Sequence, residues 1–184
     1  KALRPLLGNY KIYRVFALDL GSTLKDPRTE LTQEGLTAEE VTQKQVAFAR
    51  SEAVREAAWY GGPGARGFAI LHEGEIVALE WFWFGEDRKD QVFWPLAAEE
   101  AESAYIVTAT EMRGRRLAQR GQPDAAIRMY ALRFRRSYGQ SWFTQHASIG
   151  ANLKAWYREV ALVIDLFPFG SKRRMRFVRR RSAV

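Results

Sequence analysis

The stretch Tyr105-Ile-Val-Thr-Ala-Thr-Glu-Met-Arg-Gly-Arg-Arg-Leu-Ala118 decides how this chain is read. An apolar, β-branched segment runs into a short polar turn, then into a corner carrying glycine and arginine, and then into a helical pattern. The first turn of a helix leaves backbone N–H groups without intrahelical partners and carries the positive end of the helix dipole. Such a corner suits an anion, most often a phosphate. Arg113, Arg115 and Arg116 add formal charge to it. The alternative is a plain strand–helix connection with a solvated basic face, because short glycine motifs recur by chance.

Outward from that corner, the β runs are Tyr10–Leu20, Gly67–His72, Glu75–Phe84, Ala104–Ala109, Gln140–Ala147, Ala161–Phe167 and Arg174–Arg179. Glu73-Gly74 reads as a hairpin turn between the second and third. Residues 23–37 are polar, with Asp26-Pro27 as turn punctuation, and Pro168–Ser171 reads as the last turn. Thr37, with Glu40 three residues on, reads as a capping box that opens a helix to about Tyr60, stopped by Gly61-Gly-Pro-Gly64. A second helix is expected from about Arg115 to Tyr138, with Pro123 in its first turn or at a kink. A third is expected over Ala151–Val160. The order predicts one α/β (α+β) domain, a mixed and mostly antiparallel sheet of six or seven strands with helices on both faces.

The 184 residues are enough for one domain with a sizeable core, and 47% are apolar. The chain has no cysteine, which excludes disulfides, thiolate metal sites and a cysteine nucleophile. His72 and His146 are too few and too isolated for a histidine-rich metal site. No apolar run is long enough to span a bilayer and no signal peptide is evident, so a soluble, metal-free, cytoplasmic protein is expected. Net charge is +8. Seven cations (Lys172, Arg173, Arg174, Arg176, Arg179, Arg180 and Arg181) lie in the last 13 residues, which hold no acid, and the rest of the chain carries +1. The tail is read as a solvated strand end rather than a nucleic-acid arm.

The order of elements and the Arg113 corner resemble the GNAT (GCN5-related N-acetyltransferase) superfamily over roughly Tyr10 to Arg179. Members carry Arg/Gln-x-x-Gly-x-Gly/Ala between the fourth strand and the next helix. Here the motif reads Arg113-Gly114-Arg115-Arg116-Leu117-Ala118, with Arg116 in place of the central glycine. The resemblance implies that these backbone amides hold the pyrophosphate of acetyl-coenzyme A or another acyl-coenzyme A. Arg116 leaves the amides free provided its φ is negative; the alternatives are that it narrows the groove, or marks a site that has lost or changed its donor. It also implies an oxyanion-binding N–H within Val107, Thr108 and Ala109. A second motif, Tyr-x-x-x-Gly-Phe, is matched more loosely by Tyr157-Arg-Glu-Val-Ala-Leu162. Tyr157 would then be the acid that protonates the leaving thiolate, and the alternative is an aromatic residue on a helix surface. Asn152 stands near the place of a family asparagine.

An N-acyltransferase brings amine and thioester together in a ternary complex and removes a proton from the amine. The candidate bases are Glu80, Glu102 and His146. Glu80 is a lone acid among Leu79, Trp81, Phe82 and Trp83, where desolvation raises a carboxyl pKa. Trp81 and Trp83 should share one sheet face and Phe82 and Phe84 the other, as core or as the lining of an acyl or sugar pocket. Phe93 and Trp94 extend that cluster. The expected acceptor is a primary amine on a small molecule, an amino sugar or amino acid. Two alternatives stand beside it: a donor presented by acyl carrier protein, and a catalytically silent binding module using arginine-rich surfaces for nucleic acid or protein. The oligomeric state is open between monomer and homodimer.

Overall fold

The computed structural model describes residues 9–21, 27–168 and 174–181. Parts of three expected features therefore lie outside the described residues: positions 22–26 of the polar stretch, positions 169–171 of the last turn, and Lys172 and Arg173 of the tail. The described residues form eight strands rather than six or seven, in mostly antiparallel pairings, with helices between them. The chain resolves into two compact units, Asp19–Tyr138 and the residues on either side of it.

In the unit Asp19–Tyr138, β2 (Leu36–Val41), β3 (Ala65–His72), β4 (Glu75–Trp83) and β5 (Glu100–Thr108) pair in that order, each antiparallel to the next. Glu73 and Gly74 both have positive φ and form the β3–β4 hairpin turn. Helices cover both faces of this sheet. On one face, α2 (Gln43–Ala47), α3 (Glu52–Glu56) and the 3₁₀ turn Ala57–Tyr60 bury Val46, Val54 and Ala57 against Leu79, Trp81 and Val107. On the other, α1 (Arg28–Gln33) and α4 (Leu117–Ala131) bury Leu31 and Leu117 against Leu36, Ile70 and Ala78. Each large apolar side chain withdrawn from water in this way contributes about 1.5–3 kcal/mol.

Thr37 does not open a helix. It lies in β2, where Glu39 and Glu40 tolerate the strand because they are exposed. The true capping box is five residues on: Thr42 Oγ1 accepts from the Gln45 amide, and the Gln45 side chain accepts from the Thr42 amide. Two short helices and a 3₁₀ turn replace the single helix expected to Tyr60.

Helix α4 carries Pro123 in its interior and ends at Ala131, seven residues short of expectation. Arg133 at φ +73° turns the chain. Strand β6 (Arg136–Trp142) therefore begins earlier than expected.

In the other unit, β1 (Asn9–Asp19) pairs antiparallel with β7 (Arg158–Phe167), and β7 with β8 (Met175–Arg180). Ala161 and Val163 are fully buried. Asp165 is buried beside Arg176, which donates to both of its carboxylate oxygens at 2.7 and 2.8 Å. That guanidinium holds the Asp165 carboxyl below its usual pKa. Helix α5 spans His146–Lys154, so the region expected to be strand at its start and helix at its end is shifted by about five residues.

Candidate active site

Strand β5 ends at Thr108, and a 3₁₀ turn Thr110–Met112 leads to the corner. Arg113 is extended, Gly114 sits at φ +84° and Arg116 at φ +58°, immediately before Leu117 starts α4. The condition of a negative φ at Arg116 is not met. The backbone there takes the left-handed form that a glycine adopts without strain, so the chain keeps the loop's path and carries the cost on an arginine. No side chain caps α4 and no acid stands in its first turn, which leaves its N-terminal amides open to an anion. Arg113, Gly114, Arg115 and Arg116 are exposed, Ala118 is half-buried, and Leu117 is buried as the anchor. Among the described residues neither Arg113 nor Arg116 forms an ion pair, and Arg115 touches only the Met112 sulfur.

The three candidate oxyanion amides are not equivalent. Ala109 N–H already donates to Val77 O at 2.9 Å, which removes it from the set. Antiparallel pairs alternate between hydrogen-bonded and non-hydrogen-bonded, so Val107, opposite Leu79, also turns its N–H toward β4. Thr108, opposite Ala78, turns its N–H away from β4, which leaves it as the remaining candidate of the three.

The two acids face opposite sides of the sheet. Glu80 is opposite Ile106 on the face covered by α4 and is 5% exposed. Ser103 Oγ donates to Glu80 Oε1 at 2.6 Å, while Oε2 has no hydrogen-bond partner. Burial pushes the Glu80 carboxyl up to about 7, with Ser103 and Gln122 of α4 acting against the rise. Glu102 is opposite Trp83 on the other face and is 3% exposed. Its Oε2 accepts from the Phe93 amide at 2.6 Å. Burial pushes it too up to about 7, against hydrogen bonds from the Phe93 and Trp94 backbone.

An aromatic wall shares the Glu102 face. Tyr60 stacks on Tyr105 at 4.2 Å and on Trp83 at 5.4 Å, and exposed Trp59 meets Tyr60 edge-on at 4.9 Å. Trp81 lies buried on the same face. Phe82 packs on Phe68 on the opposite face, and Phe84 on Phe134. Trp94 meets Tyr138. Nearby, a polar groove is lined by Ser51, Glu52, Glu56, Thr110 and Glu111 among others.

No protein-family model matches the sequence, and no curated protein matches it. Among solved structures the chain is similar to an acetyltransferase of the GNAT family from Novosphingobium aromaticivorans, at 18% identity and TM-score 0.56. That match covers 86% of this chain and 64% of the other. It is similar at 13% identity and TM-score 0.56 to a GCN5-related N-acetyltransferase-like protein from Streptococcus suis, over 89% of this chain and 64% of that one. A GNAT-family acetyltransferase from Colwellia psychrerythraea matches at 13% identity and TM-score 0.56, over 88% and 57%.

The chain has the GNAT fold.

It spans less than two thirds of the length of those structures.

The remaining GNAT-motif residues lie in the other unit. Tyr157 is not on a helix surface: α5 ends at Lys154, Trp156 turns the chain at φ +63°, and Tyr157 is buried immediately before β7. Its N–H donates to the Asn152 carbonyl at 3.0 Å. The Asn152 side chain donates to Ser141 Oγ at 3.1 Å, so that amide ties α5 to β6. His146 is not at a strand end; it is the first residue of α5 and is exposed. No cluster of three or more metal-ligating side chains occurs among the described residues, and no helix among them is long and apolar enough to cross a membrane.

Sequence reasoning missed Ser103, Gln122 and Asp124. Asp124 is 2% exposed under α4 and accepts from Arg128 Nε at 2.6 Å. Its spacing of four residues from Arg128 was the available signal. Nothing in the sequence marks the bulge that places Ser103 beside Glu80.

Proposed function

We propose that this GNAT-fold chain is an N-acyltransferase that moves an acetyl or longer acyl group from acyl-coenzyme A to the primary amine of a small molecule. The observation that carries this reading is the uncapped start of α4, entered through left-handed Arg116 and preceded by the exposed Arg113, Arg115 and Arg116. Amides at a helix start, together with three guanidinia, suit a diphosphate.

In this reading the Thr108 N–H receives the oxyanion as the amine nitrogen attacks the thioester carbonyl. The ammonium proton leaves through water to one of the candidate acids, and Glu102, with its carboxyl raised to about 7, can both accept and release a proton near neutrality. Glu80 lies between the sheet and α4, beside a cavity of about 20 Å³, and in this reading it is left for another role. Collapse of the tetrahedral adduct breaks the carbon–sulfur bond, and the departing thiolate takes up a proton, the role that the resemblance gives to Tyr157. The aromatic wall and a groove that sets Glu52, Glu56 and Glu111 against one cation, Arg50, favour a cationic acceptor with a flat or apolar body, such as an amino sugar.

The test is a thermal-shift series with acetyl-, butyryl- and dodecanoyl-coenzyme A, followed by thiol release with a panel of amino sugars and amino acids. A donor that binds only the folded chain raises its melting temperature. Stabilisation by at least one thioester and amine-dependent thiol release are expected. No stabilisation by any of the three would remove the acyl-coenzyme A reading.

A further inference from the structure

The cavity beneath α4 joins groups that the reaction above leaves unused. Its lining includes Glu80 of β4, Asp124 of α4, and Leu117 and Ala118, the last two residues of the Arg113–Ala118 loop. Its volume of about 20 Å³ is close to the room for one water. Each acid leaves one oxygen without a hydrogen bond, Oε2 of Glu80 and Oδ1 of Asp124.

The two carboxyls differ in their compensation. Asp124 has Arg128 Nε at 2.6 Å and Arg28 Nε at 3.5 Å. Glu80 meets no cation among the described residues. Facing it are Phe68 from β3, Ser103 and Ile106 from β5, and Gln122 and Asp124 from α4. Arg66 of β3, on the same sheet face, is paired with Glu40 of β2. An ionised Glu80 would thus be a buried, unpaired charge sharing a small enclosure with a second carboxylate, and both effects oppose ionisation.

We propose that Glu80 is a positioning residue for the donor loop: as the neutral acid it lets the first turns of α4 seat on the sheet, and its ionisation unseats them and weakens donor binding. The proposal rests on the reading of Arg113–Ala118 as the donor site. Helix α4 transmits the effect because the loop's Leu117 and Ala118 stand on the same cavity as Glu80. The displaced group is the helix start itself, whose amides hold the anion. Burial raises the Glu80 carboxyl to about 7, so the change falls near neutrality.

The experiment is calorimetric titration of coenzyme A into the wild type, Glu80→Gln and Ser103→Ala, from pH 6 to pH 8.5. Ionisation of the ligand's own phosphates contributes equally to all three. Wild-type affinity is expected to fall roughly tenfold more than that of Glu80→Gln over this range. Ser103→Ala removes the hydroxyl that favours the charged form and is expected to move the wild-type midpoint to higher pH. Equal pH slopes for wild type and Glu80→Gln overturn the proposal. Hydrogen exchange of amides 114–121 without ligand separates it from the donor-site reading. If coenzyme A fails to bind at any pH, the donor site is lost, but protection factors (exchange corrected for its intrinsic rise with pH) that fall above neutrality in wild type and not in Glu80→Gln still support the positioning role. Equal exchange in the two contradicts that role.

Discussion

Glu80 and Glu102 are buried acids on neighbouring strands that face opposite sides of one sheet, and a single bulge separates them. From Ala78 to Trp81 the β4–β5 register is regular, and it then slips by one residue, so that Phe82 meets Ser103 and Trp83 meets Glu102. Such a slip exchanges the two faces of a strand. Without it Glu102 would share the α4 face with Glu80, and Ser103 would lie among the aromatic rings. With it, the α4 side has a buried carboxyl held by a hydroxyl. The aromatic side has a buried carboxyl held by the Phe93 and Trp94 backbone.

Both acids make stability depend on pH in the same direction. Their folded-state pKa values are raised from 4.5 to about 7. Between those values the folded chain binds more protons than the unfolded chain, so the stabilisation is complete below about pH 4.5 and is lost as pH rises through about 7. Urea midpoints measured from pH 4.5 to 8 should fall with pH in the wild type. Glu80→Gln should reduce that slope without removing it, because Glu102 titrates over the same window. A slope unchanged by the substitution contradicts the burial argument.

Arg116 holds a left-handed backbone that costs a non-glycine residue about 1–2 kcal/mol. Arg116→Gly relieves that strain, and glycine's greater freedom in the unfolded chain takes back part of the gain. A net stabilisation of about 0.5–1 kcal/mol is expected, read as a rise of a few degrees in melting temperature. A lower melting temperature would mean that the Arg116 side chain makes a contact worth more than the strain.

Gly67 lies opposite Trp81, and a Cβ at that position would come within 2.8 Å of the indole ring. Trp81 is almost fully buried, so the ring has little room to retreat. Gly67→Val should cost at least about 2 kcal/mol by overpacking. A variant with wild-type urea resistance would show that the β3–β4 core is looser than described.

The strands were legible because β-branched and aromatic runs are bounded by turn residues, as at Glu73-Gly74 between β3 and β4. The Arg113–Ala118 corner was legible as a strand-to-helix connection because an apolar β-branched run meets glycine and then a helical pattern. Three features were not. Thr37 with Glu40 imitates a capping box, and only pairing with β3 shows that the segment is a strand. The end of α4 lacks a glycine stop, since Arg133 supplies the turning residue. The bulge at Trp81/Phe82 is a tertiary outcome, and so the facing of Glu80, Glu102 and Ser103 could not be read from alternation.

Tyr157 carries the proton-donor role in the proposed reaction. Tyr157→Phe keeps the buried ring and removes only the hydroxyl. Turnover should fall by roughly a hundredfold while donor affinity is unchanged. Full turnover in this variant would remove Tyr157 from the scheme.

The central claim is that main-chain amides at the start of α4 hold the diphosphate of the donor. Hydrogen exchange measured residue by residue, with and without acetyl-coenzyme A, tests it most directly. Protection concentrated on residues 114–119, and abolished by Ala118→Trp in a variant that still folds, is the predicted result. Binding accompanied by protection elsewhere, with those amides exchanging at their free rate, would contradict it.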